Sequence, residues 1–313
     1  GFDRGLDIVV LGLALQDKSG QTVARVPELA VGLDSGRLFA GDFVPTTVDV
    51  VGANVSLRRS ADGVIEIGVG RGRGGGASLL AFLRDLTLAP DPRRPGSALR
   101  RVSILSAAVT FEDMASGVTW DMPAADLILN RDTGGLSGGL IFDLDLDGQL
   151  THFVATASFD YVGRATKVAV DFKNLDPQRL AAKDPLLAGL DRLQLPVTGR
   201  INLEVSERGR FDSINFDITG GAGALDLAPV FDTPSRVGRL TARGAVVVAD
   251  KALVFDELVL ERESATAILQ GRIVAEEGGP KVIMAGRVAG FTPSDIEEYW
   301  PTSFAPPVHK WFT

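Results

Sequence analysis

A period of two runs through this chain and constrains its fold more than any other feature. Leu140, Phe142, Leu144 and Leu146 alternate with Ile141, Asp143, Asp145 and Asp147. Ile201, Leu203 and Val205 alternate with Asn202, Glu204 and Ser206, and Ile214, Phe216 and Ile218 with Asn215, Asp217 and Thr219. Successive strand side chains point to opposite faces, so each run makes one apolar and one polar face. Phe153, Phe159, Val168, Val170, Phe172, Leu253 and Phe255 join the same apolar set. The expectation is a mainly β fold: a long, curved antiparallel sheet with a few short capping helices. An apolar sheet face must be covered by something.

Composition narrows the function classes. The chain has 313 residues, 45% of them hydrophobic, and its mean hydropathy is positive. No stretch has the run of roughly 18 uncharged apolar residues that a spanning helix needs, so the hydrophobic content is spread over strands. The net charge of −8 argues against nucleic acid as a partner, because phosphate binding needs a basic face. A loose basic group (Arg71, Arg73, Arg93, Arg94, Arg100 and Arg101) reads as solvated loop. The absence of cysteine removes disulfides and thiolate metal sites. The chain opens on Gly1 and shows no signal peptide or anchor, so it reads as a fragment or processed product.

Along the chain, 6–15, 22–33 and 46–59 read as strands, and Asp62-Gly63 as a hairpin turn. Residues 77–86 have helical spacing. A meander follows, with strands expected at 102–113, 117–122, 125–130, 136–147, 150–161 and 164–173. Asp176-Pro177 and Asp184-Pro185 each combine a capping Asp with a proline at the first helical position, so two short helical pieces end near Leu193. The second meander has strands at 197–206, 210–219, 223–228, 237–249, 252–261, 264–275 and 280–291. A short helix at 294–299 closes it. This divides the chain into an N-terminal part at 1–88, a linker at 89–99, a first meander with helix at 100–193 and a second at 194–313. The two meanders read as a loose repeat of about a hundred residues.

Catalytic and metal motifs are weak. His152 and His309 sit in no HExxH, HxH or HxxxH pattern. Asp143, Asp145, Asp147 and Gly148 match the first half of a calcium loop, but Val154 stands where its closing Glu belongs, so a solvated acidic face is the better reading. Gly70, Gly72 and Gly75 have dinucleotide-fingerprint spacing, yet no parallel βαβ rhythm follows; Arg71–Gly76 reads as a joint. Tyr299-Trp300-Pro301 and Trp311-Phe312 read as a cap on a sheet end. The expectation is a non-enzymatic protein with no cofactor and no metal.

Four segments in order resemble the AsmA-like superfamily, and within it the YhdP-type periplasmic proteins of Gram-negative bacteria. They are PELAVGLDSGRLFAGDFVPTTVDVVGANVSLRRSADG (27–63), RVSILSAAVTFEDMASGVTWDMPAADLILNR (101–131), DFKNLDPQRLAAKDPLLAGLDRLQLPVTGRINL (171–203) and YWPTSFAPPVHKW (299–311). The resemblance spans nearly the whole chain and rests on the order of these segments. It implies an inner-membrane-anchored protein projecting into the periplasm, the anchor lying in a segment outside this sequence. It further implies a bridge-like lipid-transfer protein whose repeated β-sheets form an apolar trough. The implied partners are phospholipid or another acyl lipid, with possible envelope proteins. The period-two apolar residues named above, from Leu140 to Phe255, are the expected lining. The rival expectation is a non-catalytic β-sandwich scaffold for envelope assembly, with its apolar faces sealed on each other.

Overall fold

The computed structural model describes residues 6–16, 22–61, 65–69, 86–91, 96–163, 165–206, 211–228, 233–262, 265–276 and 279–290. The expected turn at Asp62-Gly63 and the helix at 294–299 lie outside them. So does the expected helix at 77–86, except for Leu86. So do the Gly70–Gly75 spacing, His309 and the terminal aromatics. The fold is mainly β: one large mixed sheet of 16 strands, not closed into a barrel, plus a three-stranded sheet. The chain divides into two compact units, Gly1–Val170 with Val205–Arg210, and Asp171–Glu204 with Phe211–Thr313.

In the first unit, β1 (Leu6–Gln16) and β2 (Thr22–Leu33) form a hairpin. The single turn α1 (Ser35–Phe39) follows, capped by Asp34, whose carboxylate accepts the Arg37 amide at 3.1 Å. The run expected as one strand at 46–59 is two, β3 (Pro45–Val51) and β4 (Asn54–Arg59), interrupted at Gly52 with φ +72°. β4 pairs antiparallel with β5 (Ile65–Val69). Both β3 and β4 run parallel to β6 (Arg101–Asp113), which departs from a purely antiparallel expectation. The pairings Val51–Leu105 and Asn54–Ala108 keep one offset across the break. A parallel pair needs a crossover, and the chain between β5 and β6 supplies it.

The meander then runs through β7 (Val118–Arg131), β8 (Gly135–Leu146), β9 (Gln149–Asp160) and β10 (Thr166–Leu175). β7 merges the two strands expected at 117–122 and 125–130. Pro123 sits where its register with β8 slips, between Asp121 and Ala124, so the missing donor falls in a bulge. Asp147 and Gly148, at φ +54° and +86°, make the two-residue turn between β8 and β9. The Gly148 amide donates to the Asp145 carboxylate at 2.6 Å.

In the second unit, Asp176 caps α2 (Pro177–Lys183), and Asp184 caps the 3₁₀ helix Pro185–Arg192. The carboxylates accept the Gln178 and Leu186 amides at 3.1 and 2.9 Å. β11 (Leu193–Gln194), β14 (Gly223–Leu225) and β15 (Ser235–Val237) make the small sheet. The long strands are β12 (Val197–Val205), β13 (Phe211–Gly220), β16 (Arg239–Val247), β17 (Ala252–Arg262), β18 (Ala265–Glu276) and β19 (Gly279–Ala289). Their order is β12-β13-β16-β17-β18-β19, and the four ladders from β13 to β19 are antiparallel. Buried Leu195 packs beside Gly220, where a Cβ would meet its Cδ1 at 2.3 Å.

Candidate functional site

Residues opposite one another in a ladder share a face, so registers trace faces across strands. In the first unit, Ile8, Val31, Val48, Val102, Leu129, Gly138 and Ala157 form one such row across seven strands. A second row runs Val10, Leu29, Val50, Ile104, Leu127, Leu140 and Ala155. A third joins Ala107, Ala125, Phe142 and Phe153. The Phe142 and Phe153 rings stack at 5.0 Å. Bulges preserve this face. At Ser106, φ +52°, one extra residue enters β6, and its amide donates to Asp126 at 2.6 Å.

The second unit builds an equivalent face. One row is Ile214, Val246, Leu253, Ile273 and Val282. The next is Phe216, Gly244, Phe255, Gly271 and Met284, and the third Ile218, Ala242, Leu258, Leu269 and Gly286. Large and absent side chains alternate in the middle row. A Cβ on Gly244 would stand 2.9 Å from the Phe216 ring and 1.9 Å from the Val254 carbonyl oxygen. Glycine therefore lets the Phe216 and Phe255 rings meet edge to face at 5.9 Å.

The opposite faces are charged. In the first unit, Arg58 pairs with Glu112 at 2.6 Å, the Asp143 carboxylate accepts from His152 Nδ1 at 2.8 Å, and the Ser103 hydroxyl donates to Asp49. In the second, Arg243 bridges Asp217 at 3.1 Å and Glu257 at 3.2 Å, and Arg200 holds Asp171 at 2.7 Å. The last pair puts Asp171 and Arg200 on one face, which leaves Phe172 and Ile201 on the other. The Arg200 hydrogen bond keeps the Asp171 carboxyl below its ordinary value against a smaller opposing effect of burial.

Exposure separates an open face from a sandwich core. Of the expected lining residues, only Leu144 (8%), Leu146 (0%) and Phe172 (5%) are buried. Leu140, Phe142, Phe153, Phe159, Val168, Val170, Ile201, Leu203, Val205, Ile214, Phe216, Ile218, Leu253 and Phe255 are all half-buried. A sealed inter-sheet core would bury them, as it does in packed interiors. The first unit's face is buried towards the β8–β9 turn, at Leu144, Leu146, Val118 and Thr151, and also at Ala107, Ala125 and, at the other end, Leu33.

That closed end includes Asp113, which pairs with Arg59 at 2.5 Å and accepts the Ala115 amide at 3.0 Å. Burial pushes the Asp113 carboxyl up, but the Ala115 amide and the Arg59 guanidinium outweigh it and hold it below the ordinary value. A depressed carboxylate stabilises the fold above the unfolded pKa, about 3.9, and that contribution is lost as pH falls through the folded value. Arg59→Leu is therefore expected to lower the urea midpoint at pH 7, with a deficit that narrows below about pH 4. A deficit constant with pH would contradict this.

Catalytic geometry is sparse. Among the described residues no group of three or more His, Asp or Glu side chains is placed to hold a metal, and no helix is long and apolar enough to cross a membrane. A shallow depression of about 380 Å³ in the second unit is lined by Asn174, Pro196, Thr198, Thr219, Gly220, Gly221, Gly238 and Arg239, without a carboxylate or histidine. Sequence reasoning did not single out Val48, Val50, Val102, Ile104, Leu127 and Leu129, although each lies in a period-two run. It also missed Leu258 and Leu260, whose parity shifts at the irregularity between Phe255 and Leu258.

Comparison with protein-family models, with curated proteins and with solved structures gives no match.

Proposed function

We propose that this chain is a segment of a periplasmic lipid conduit, in which phospholipid acyl tails lie against the apolar sheet faces and no bond is made or broken. The observation that carries this reading is the set of apolar rows on one face of each unit, where 14 of the 17 expected lining residues are half-buried rather than sealed. An acyl chain of ~16 carbons gains on the order of 10 kcal/mol from complete removal from water at ~0.8 kcal/mol per methylene. Such burial is non-directional, so a tail can slide along rows of Val, Leu, Ile and Phe without specific contacts. The ion-paired reverse faces add little stability individually, but they keep that side of the sheet in water. The ordered motif resemblance supports membership of the AsmA-like, YhdP-type proteins, and with it membrane attachment through a segment outside this sequence.

The test is native mass spectrometry and lipid extraction of the purified chain, followed by titration with a fluorescent phospholipid. Bound diacyl lipid and saturable uptake of the probe are expected. Protein that is lipid-free in repeated preparations and takes up no probe would overturn the reading in favour of an envelope-assembly scaffold.

A further inference from the structure

Among the described residues, β1 and β19 each have a single ladder neighbour, β2 and β18. Each is 11 residues long and presents one row of backbone amides and carbonyls without strand partners. Both are also apolar and exposed. Leu6, Val9 and Leu11 are 52%, 54% and 73% exposed, and Val282, Ile283 and Val288 are 51%, 44% and 54%. Edges of this length are ordinarily blunted by lysine, proline or bulges. From Leu6 to Leu13, β1 carries one charge, Asp7, and β19 carries Lys281 and Arg287.

We propose that the two edges are complementary halves of one head-to-tail interface between copies of this chain, β1 of one copy adding antiparallel beside β19 of the next. Charge and register point to the same pairing. Asp7 and Arg287 have no ion-pair partner among the described residues. Setting them opposite each other overlaps the two strands along nearly their whole length. It places Leu6 against Val288, Ile8 against Gly286 and Val10 against Met284, all on the apolar faces traced above. Val9 then opposes Ala285 on the reverse face. Full-length pairing of β19 with a second β19 instead sets Lys281 against Arg287, a like-charge contact that disfavours it. Strand addition of this kind draws affinity from main-chain hydrogen bonds and specificity from alternate side chains. Because the two edges differ, the interface is heterologous and each copy keeps one free edge. The proposal stands whether or not the apolar face holds lipid.

Sedimentation of the full chain over a micromolar to submillimolar series tests it. Concentration-dependent association is expected. Asp7→Arg and Arg287→Asp should each weaken it at least about tenfold, and mixing the two variants should restore it, because each supplies the charge the other lost. The chain has no cysteine, so thiols can be placed one at a time. Val9→Cys mixed with Ala285→Cys should form an intermolecular disulfide, and Val9→Cys alone should not. A monomer at every concentration, no recovery on mixing, or efficient cross-linking of Val9→Cys with itself would each overturn the proposal. Circular dichroism confirms that the edge variants are folded.

Discussion

Replacing Arg131 with methionine is expected to lower the unfolding free energy by about 2–4 kcal/mol, since hydrogen bonds from a charged donor are each worth roughly 1.5–3 kcal/mol and are not additive. Arg131 ends β7 and is buried. Its Nη2 donates to the Leu88 carbonyl at 2.7 Å, its Nη1 to the Gly96 carbonyl at 3.2 Å and its Nε to the Tyr161 hydroxyl at 3.0 Å. That hydroxyl in turn donates to the Leu86 carbonyl at 3.0 Å. The three carbonyls belong to the crossover that the parallel β3–β6 and β4–β6 ladders require. One guanidinium thus ties the crossover to the meander, and buried Leu86 and Leu99 pack there. Methionine fills a similar volume but donates nothing, so the Leu88 and Gly96 carbonyls and the Tyr161 hydroxyl lose this donor. Tyr161→Phe removes one hydroxyl and should cost only about 1–2 kcal/mol. Urea unfolding monitored by circular dichroism measures both. A loss below about 1 kcal/mol for Arg131→Met would show that the crossover is held some other way.

What the sequence disclosed follows from the range of the forces involved. Local signals were legible. Asp176-Pro177 and Asp184-Pro185 start helices because cap and proline act within one turn, and Asp147-Gly148 turns because both residues tolerate positive φ. The alternating runs in β8, β12 and β13 were legible for the same reason, since period two is written residue by residue. Pairing partners were not. Nothing near Thr47 or Asn54 signals that these strands run parallel to β6, because that choice is made by residues 54 positions away. The gap between 117–122 and 125–130 holds Pro123, a strand breaker by itself but harmless in a bulge supplied by the register with β8. The apolar runs Leu6–Leu15 and Gly244–Ala249 carry no alternation, and only their neighbours assign Ile8, Val10, Gly244 and Val246 to the apolar face. The candidate lining was therefore readable where the reverse face is polar, as at Asp143 or Asn215, and invisible where both faces are aliphatic.

The double variant Leu140→Asp with Phe216→Asp is expected to reduce recovered lipid at least about tenfold while the chain stays folded. Each substitution sets a carboxylate in one of the apolar rows, one in each unit. A tail lying on that row must either dehydrate the charge or leave the row, a penalty of about 2 kcal/mol or more, and 1.4 kcal/mol is already tenfold in affinity. Both positions are half-buried, so in the lipid-free protein the carboxylate can reach water and the fold loses less than the ligand does. Each single variant should reduce lipid in its own unit alone. Matched controls separate the face from the charge. Ser137→Asp and Asn215→Asp place the same group on the reverse faces, where Ser137 opposes only Asn130 and Ser158, and Asn215 opposes Ala245. These should leave lipid content unchanged. If the controls lose lipid as fully as Leu140→Asp and Phe216→Asp, net charge rather than an apolar lane governs binding. If neither set loses any, the tails lie elsewhere and the rows are packing surface.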